Sequence, residues 1–286
     1  MSATIVNGRK IAETLKHQVK KEISSLQKKT NIPPHVITLL VGSNKASEMY
    51  LTLREKACAQ VGITASHQRI PHTITQPELE QIITGLNTNS SIHGIMIQLP
   101  LPEHLDMLSL YNKIDPKKDV EGLSPYNLGS TFAGKEHLVP CTPQAVLTIL
   151  NHLQISLQGK EVCVINHSLV VGKPLGMMLL HRNATVSICH VYTEDVKIYT
   201  QKADIVIPAA GVIDLVTADH IKPGAIVIDV GINPTKKGVQ GDVAFEKVQE
   251  KASVLTPVPG GVGPVTIACC LQNIVKTYRM CVLSNE

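Results

Sequence analysis

Residues 166–174 (NHSLVVGKP) have side chains and spacing that could hold a phosphate group. They follow an apolar run that is typical of a buried strand, and a helix is predicted to begin at Pro174. A turn between a strand and a helix N-terminus offers backbone amides and the positive end of the helix dipole to an anion. Gly172 permits close backbone approach. An ordinary strand-to-helix connection stays an alternative, because the GxGxxG pattern of dinucleotide-binding turns is absent.

Two further features indicate a nucleotide and favour one form of it. Residues 227–233 (VIDVGIN) predict an apolar strand that breaks at Gly231, and ligands of parallel sheets bind outside the carboxyl ends of the strands. The second strand of this block ends at Ile188-Cys189-His190, where no acidic residue is present. An acid there would bind the ribose hydroxyls of NAD and repel a 2′-phosphate, so its absence favours NADP.

Segments of helical period alternate with short, β-branched apolar runs along the whole chain. Helices are predicted over residues 9–29, 46–61, 77–86, 174–182 and 264–280, and strands over 35–41, 64–70, 93–98, 161–165, 185–189, 204–207 and 225–229. This order predicts an α/β protein with mostly parallel sheets and helices on both faces. The block that begins at residue 161 has the length and rhythm of a Rossmann-like unit.

Residues 100–143 interrupt this alternation, because turn-forming residues are frequent there and little periodicity is visible. The segments at 115–118 (DPKK) and 141–143 (CTP) are predicted to cross between two domains. The sequence therefore predicts an N-terminal α/β domain over residues 1–140 and a Rossmann-like domain over residues 141–263.

Composition and charge argue against a nucleic-acid-binding, disulfide-rich or membrane protein. Of 286 residues, 43% are hydrophobic and 17% are charged, which is ordinary for a soluble globular chain. The net charge of +4 is spread out, without a basic stripe that alternates with aromatic residues, so nucleic-acid binding is not expected. Seven cysteines without a CxxC pair argue against a disulfide framework or zinc site and favour a reducing compartment. With neither a signal-peptide pattern nor an apolar run of membrane-spanning length, we expect a cytoplasmic protein that does not enter a membrane.

Short motifs in a distinctive order lie along nearly the whole chain. The N-terminal half contains Ser47-x-x-Tyr50, VGI at 61–63, QLPLP at 98–102 and KDVEG at 118–122. The C-terminal half contains PCTP at 140–143, KPGA at 222–225, GDV at 241–243 and the highly specific TPVPGGVGP at 256–264. Together these motifs resemble those of the bifunctional methylenetetrahydrofolate dehydrogenase/cyclohydrolase family.

This resemblance implies an N-terminal folate-binding domain and a Rossmann-like NADP domain, with the last helix, residues 264–286, returning to the N-terminal domain. The family oxidises 5,10-methylenetetrahydrofolate by hydride transfer to NADP and hydrolyses the methenyl product to 10-formyltetrahydrofolate. The resemblance further implies a homodimer, tetrahydrofolate derivatives as ligands and a substrate cleft between the domains. We expect no metal ion.

The resemblance also carries site residues over by position. The catalytic positions are Tyr50, Arg54, Gln98 and Glu121. The substrate-binding positions are Ser47, Tyr50, Leu99, Pro100, Asp119, Glu121, Pro259, Gly260 and Gly261. The cofactor-binding positions are Asn166, His167, Ser168, Val171, Gly172, His190, Val191, Gly231, Ile232 and Thr266.

In the family, the tyrosine at position 50 packs along the folate, and the glutamine at position 98 hydrogen-bonds a catalytic lysine. The loop that begins at Pro259 lies under the pterin, where glycines let the backbone approach a flat ring. A lone helical tyrosine is more often a surface residue, and a glycine-rich loop can be a plain turn. These remain the alternatives to the functional interpretation.

The chain departs from the family at the position of that lysine, which is Arg54 here. Lys56 lies two residues further on, a rotation of roughly 200° around a helix, and cannot replace it without a register shift. Arginine keeps the positive charge but does not release a proton near neutral pH. We therefore expect orienting and electrostatic roles for Arg54, and not a proton-transfer role.

Further departures concern the ligands. The family aspartate that binds the amino edge of the pterin is Glu121, which keeps the carboxylate and adds one methylene. The family Gly-Arg of the cofactor turn is Asn166-His167, and histidine is a weaker phosphate partner than arginine because it is mostly neutral at pH 7. A family serine after Cys-His is Val191, so Lys173 or His190 would have to compensate.

These changes leave three interpretations. The chain is an enzyme with altered proportions of its two activities, or a catalytically degenerate member that binds folate or a partner without turnover. The third is a dehydrogenase for another small substrate on the same fold. The retention of Tyr50, Gln98, Asp119 and the glycine–proline loop favours the first.

Overall fold

A computed structural model describes residues 2–236 and 238–283, and of residues 45–47 only the backbone. The chain forms two compact units. The three-strand unit comprises residues 14–130, 136–139 and 267–283, and the six-strand unit comprises residues 2–13, 131–135 and 140–266.

The helices and strands are as follows. The helices are α1 (Gly8–Thr30), α2 (Lys45–Val61), α3 (Gln76–Thr88), α4 (Met107–Lys113), α5 (Pro125–Phe132), α6 (Cys141–His152), α7 (Gly172–Leu180), α8 (Lys197–Thr200), α9 (Phe245–Gln249) and α10 (Val262–Leu283). The strands are β1 (Thr4–Ile5), β2 (His35–Val41), β3 (Thr64–Ile70), β4 (Gly94–Ile97), β5 (Glu161–Ile165), β6 (Thr185–Cys189), β7 (Ile205–Pro208), β8 (Ile226–Val227), β9 (Asn233–Thr235), β10 (Gly238–Gln240) and β11 (Val254–Leu255). Over the two described ranges, no helix is both long enough and apolar enough to cross a membrane.

The three-strand unit contains a parallel sheet in the order β3-β2-β4. Val36, Leu39 and Leu40 of β2 are buried, because a central strand is covered on both faces. β4 is buried along its whole length and continues into Gln98. Since α2 begins just after β2 ends, its first turns start from the edge of the sheet at which β4 also ends.

The six-strand unit contains a parallel sheet in the order β1-β11-β8-β7-β5-β6. β6 and β7 flank β5 on opposite sides, so the crevice outside the carboxyl ends of β5 and β7 is a topological switch point, the usual ligand position in such sheets. Thr4 and Ile5 pair with Val254 and Leu255, which places the N-terminal residues in this unit. β9 and β10 form a separate antiparallel hairpin.

The predicted α/β class is confirmed, and all seven predicted strands and five predicted helices are present with small shifts of their ends. Four strands, at 35–41, 64–70, 161–165 and 185–189, have the predicted bounds. Long apolar runs are predictable because their burial follows from local periodicity.

The turn-rich stretch of residues 100–143 also contains two short helices, α4 and α5, and Cys141 begins α6. The chain passes from one unit to the other between residues 139 and 140, directly before the predicted crossing segment at 141–143. The segment at 115–118 stays inside the three-strand unit and does not cross between units. α4 was missed because it is short, although Asp106 caps it by accepting hydrogen bonds from the amides of Leu108 and Ser109.

Asn273 of α10 is a buried link between this helix and the chain that follows β4. Its Nδ2 donates to the carbonyl oxygens of Val120 and Val139, each at 2.9 Å. Replacing Asn273 with alanine removes both donors, and we expect the free energy of unfolding to fall by about 2 kcal/mol. Urea denaturation measures it, with Asn151→Ala, at an exposed asparagine of α6, as the control. Equal losses for both variants would contradict this role.

Candidate functional site

Arg54 lies on α2 with only 4% of its surface exposed. Its Nη2 donates to Thr38 Oγ1 at 3.0 Å and to Gln98 Oε1 at 3.3 Å. The guanidinium carbon lies 5.8 Å from the centre of the Tyr50 ring, one helical turn away on the same face. Lys56 is exposed, in agreement with its predicted rotation away from this face.

The guanidinium of Arg54 remains charged. Burial lowers its pKa, but nearby acidic groups, first Cys270 and then Glu121, raise it by more, so the pKa lies above its ordinary value. Arg54 therefore supplies a fixed positive charge and does not release a proton to a reaction.

Gln98 follows β4 and is held at both ends of its amide. Its Nε2 donates to the carbonyl oxygen of Leu99 at 3.0 Å, so Oε1 faces Arg54 as an acceptor. The peptide bond between Leu99 and Pro100 is cis. In this arrangement Gln98 accepts from the guanidinium of Arg54.

Glu121 is partly buried in the same unit and accepts a hydrogen bond from the hydroxyl of Tyr111. Burial raises the pKa of its carboxyl group, while the charge of Arg54 and the bond from Tyr111 act in the opposite direction. The net effect is a raised pKa. A carboxyl group of this kind changes its protonation closer to neutral pH than an exposed glutamate does.

Asp119 is fully buried and accepts hydrogen bonds through Oδ2 from the amide of Ser124 at 2.7 Å and from Asn127 Nδ2 at 2.8 Å. These bonds fix the chain around Glu121. No part of the Asp119 side chain is exposed, and its contact with the substrate stays a prediction. The side chain of Ser47 lies outside the described part of the structure.

The structure thus brings Tyr50, Arg54, Gln98 and Glu121 into one electrostatic group. Sequence reasoning missed two hydroxyls that contact this group, those of Thr38 and Tyr111. A polar residue inside the otherwise apolar run of residues 36–41 was the available signal for Thr38.

In the six-strand unit, the turn after β5 is closed by Asn166. Its Oδ1 accepts hydrogen bonds from the amides of Ser168 at 2.7 Å and Gly172 at 3.0 Å, and its Nδ2 donates to Ala209 O at 2.6 Å. A Cβ atom on Gly172 would lie 1.9 Å from the carbonyl oxygen of Asn166. Glycine is therefore required at 172 by the packing of the turn itself.

The expectation that this turn offers free amides to a phosphate needs correction. The amides of Ser168 and Gly172 bond to Asn166, that of Val171 bonds to Ser168 Oγ at 3.1 Å, and that of Lys173 bonds to Ser168 O at 3.0 Å. Four amides of the turn are thus already engaged inside it.

The ends of β5 and β6 bring His167 and His190 together, with ring centres 4.9 Å apart. His190 Nδ1 accepts from the amide of Tyr192 at 3.2 Å, and Val191 is 85% exposed. Lys173 is exposed on the first turn of α7. Two imidazoles thus meet at the ends of these strands, where no acidic residue follows β6. That these residues bind a 2′-phosphate stays a prediction.

Two buried carboxylates hold the loops beside this turn. Asp242 accepts from the amides of Ala210, Gly211 and Val212 at 2.6, 2.9 and 3.0 Å. Asp229 accepts from the amides of Gly231, Asp242 and Val243 at 2.9–3.1 Å, and burial raises the pKa of this carboxyl to about 6. These bonds fix the backbone around Gly231, while Ile232 is 55% exposed. The sequence did not reveal this network.

The remaining predicted site residues belong to the glycine–proline loop and α10. Gly260 has a φ of 106°. The carbonyl oxygen of Gly261 would lie 1.8 Å from a Cβ atom on Gly8, so part of the loop packs tightly against the start of α1. Thr266 is nearly buried, and its hydroxyl donates to Val262 O at 3.2 Å. Whether Pro259, Gly260 and Gly261 contact a pterin stays a prediction.

Comparison with known proteins identifies the family. The family model described as tetrahydrofolate dehydrogenase/cyclohydrolase, catalytic domain, matches residues 6–121. The model described as tetrahydrofolate dehydrogenase/cyclohydrolase, NAD(P)-binding domain, matches residues 140–282. The chain belongs to the tetrahydrofolate dehydrogenase/cyclohydrolase family. The predicted resemblance is therefore confirmed, and residues 140–282 form an NAD(P)-binding domain of this family.

Individual relatives agree with this assignment. A protein of Methanococcoides burtonii named bifunctional protein FolD is 48% identical over 275 residues, which are 96% of each chain. The crystal structure of the bifunctional enzyme FolD of Campylobacter jejuni is 42% identical, with a TM-score of 0.94 over 97% of this chain and 99% of that chain. The dehydrogenase–cyclohydrolase of Trypanosoma brucei, complexed with NADP and an inhibitor, is 34% identical over 98% of each chain, with a TM-score of 0.93.

Asp242 should support both stability and cofactor binding in this family member. Asp242→Asn places an amide donor among groups that are themselves donors, the three backbone amides and Asn233 Nδ2. We expect the free energy of unfolding to fall by about 3 kcal/mol. NADP binding should weaken as the loops loosen. Chemical denaturation and nucleotide titration measure the two effects, with Asp219→Asn, at an exposed aspartate, as the control. An Asp242→Asn protein as stable as this control would refute the network's role.

NADP should bind more tightly than NAD, because no acid at the end of β6 repels the 2′-phosphate that NAD lacks. Calorimetric titration with both nucleotides measures the preference. His167→Gln should reduce it, since the imidazole of His167 lies beside His190 at the ends of β5 and β6. Equal affinity of the natural protein for NADP and NAD would show that His167 does not bind the 2′-phosphate.

Proposed function

We propose that the chain oxidises 5,10-methylenetetrahydrofolate to the methenyl form with NADP and hydrolyses that form to 10-formyltetrahydrofolate, in one-carbon metabolism. Both domain models of the family support this function. The observation that carries it is the hydrogen bond between Arg54 and Gln98 beside the ring of Tyr50, because it retains a cation at the catalytic position.

The residues of the three-strand unit have separate tasks in this reaction. NADP, when bound, accepts the hydride. Tyr50 provides a flat surface for the folate, and Gln98 holds Arg54 in one orientation. The carboxylate of Glu121 binds the amino edge of the pterin and offsets positive charge as the substrate becomes a cation. Oxidation depends mainly on holding substrate and cofactor in place, which these residues can do without moving a proton.

Hydrolysis makes a different demand. Water must be activated and protons moved, which suits a group that exchanges a proton near neutral pH. Arg54 is not such a group. We therefore infer that the dehydrogenase activity exceeds the cyclohydrolase activity by a wider margin than is usual in the family.

Spectrophotometric assays of the purified protein test the proposal directly. NADP-dependent oxidation of methylenetetrahydrofolate and hydrolysis of methenyltetrahydrofolate are followed separately. If tetrahydrofolate binds but neither reaction occurs, the chain is a degenerate family member that binds without turnover. If neither folate binds, the substrate assignment itself is wrong.

We also propose a cytoplasmic homodimer. The family resemblance supports the dimer, and the seven cysteines, which form no disulfide among the described residues, suit a reducing compartment. Light scattering coupled to size-exclusion chromatography determines the mass in solution, and a monomer at assay concentration would refute the dimer.

Arg54→Lys should raise hydrolysis more than oxidation. The substitution restores a side chain that can release a proton, while a positive charge beside Gln98 is kept. We expect at least a severalfold rise in the ratio of the cyclohydrolase kcat to the dehydrogenase kcat. Lys56→Arg, a reciprocal exchange at an exposed position of the same helix, is the control and should leave the ratio unchanged. If hydrolysis is already fast in the natural protein, or stays unchanged in Arg54→Lys, another group activates the water.

A further inference from the structure

The two positions at which the folate site departs from its family each contact a buried hydroxyl group. Arg54 contacts Thr38, and Glu121 contacts Tyr111. All four residues belong to the three-strand unit. Each departure therefore has its own polar partner in the surrounding structure.

Thr38 is a polar residue in the interior of an apolar strand. It lies in the middle of β2 with 2% of its surface exposed, next to the buried Leu39. Its Oγ1 accepts from Arg54 Nη2 at 3.0 Å, within a buried contact. A valine of the same shape would leave a charged donor without this acceptor, which is costly in a buried environment.

Tyr111 contacts Glu121 as Thr38 contacts Arg54, through a hydroxyl group. It is fully buried on α4 and is among the largest fully buried side chains of a core that is otherwise almost entirely aliphatic. Its hydroxyl contacts Glu121 Oε2 and lies 3.4 Å from Ile97 O. A phenol that donates to a carboxylate stabilises the charged form of that carboxylate.

We propose that Thr38 and Tyr111 are positioning residues of the folate reaction, which hold Arg54 and Glu121 as a preorganised pair of opposite charges. The proposal rests on the proposed function. Burying a guanidinium and a carboxyl group is unfavourable unless both are well paired, and the two hydroxyls supply part of that pairing. Charges held in this way are preorganised for a substrate that becomes a cation.

The groups that act on the ionisation of Glu121 come from several elements. Arg54 on α2 and the hydroxyl of Tyr111 on α4 favour its charged form, as does a backbone hydrogen bond from Ile97 of β4. Burial and the neighbouring Asp119 favour the neutral form. Loss of the Tyr111 hydroxyl therefore raises the pKa of Glu121 further, because a bond to the charged form is removed.

The experiment compares the dehydrogenase kinetics of five single variants with those of the natural protein. Thr38→Val and Tyr111→Phe remove the two hydroxyls, and Thr38→Ser keeps the acceptor. Thr277→Val and Tyr278→Phe are matched controls, because both residues are fully buried hydroxyl side chains in the same unit. Each variant is assayed for kcat, KM and the pH profile of kcat/KM, and its thermal stability is measured.

In Tyr111→Phe we expect KM for methylenetetrahydrofolate to rise about tenfold, and the acidic limb of the kcat/KM profile to move to higher pH. In Thr38→Val we expect kcat/KM to fall about tenfold without movement of that limb, since Arg54 stays charged. Thr38→Ser should recover most of the loss. The two controls should lose stability without changing KM or the limb.

The proposal is overturned if Thr38→Val and Tyr111→Phe match their controls in kcat, KM and pH profile. It is also overturned for Tyr111 alone if KM rises while the acidic limb stays in place, since that result indicates a general loss of packing. Absence of turnover in the natural protein would refute the proposed function itself. The assay of the natural protein, made before any variant is compared, therefore separates a failure of the proposed function from a failure of the positioning proposal.

Discussion

The three-strand unit depends on one buried positive charge. A guanidinium removed from water must be surrounded by acceptors, and Arg54 obtains them from the side chains of Thr38 and Gln98. Thr38 lies in the middle of β2 and Gln98 directly follows β4, so the charge holds α2 against this sheet. The orientation of Tyr50 follows, because it lies one turn away on the same helix.

In the six-strand unit the roles are reversed. Backbone amides of its loops are the donors, and buried side chains supply the acceptors. Asp229 and Asp242 together accept six backbone amides, while Asn166 closes the turn after β5 with its side-chain oxygen. A buried carboxylate can serve several amides at once, which explains how loops without regular structure remain ordered here. Buried acceptors therefore hold the loops of the six-strand unit, whereas a buried donor, Arg54, holds the site of the three-strand unit.

The reactions of the family give the hydrogen bonds around Arg54 a chemical meaning. A lysine can alternate between charged and neutral forms, whereas Arg54 keeps its charge and gains geometric definition from several fixed N–H groups. Arg54 therefore provides a fixed charge in a defined orientation. Of the two family reactions, hydrolysis is the one that requires a proton to move during activation of water.

The sequence by itself determined the α/β class, the long strands and helices, and the family. Burial of β2, of β5 and of one face of α1 follows from periodicity within each segment, which is a local property. The sequence did not determine β1, whose two residues pair with Val254 and Leu255. It also did not determine the partners of Arg54, Glu121 and Asp242. Only the tertiary structure decided those, because a buried polar group bonds to whatever the packing of distant segments brings within reach, and no local pattern records that choice.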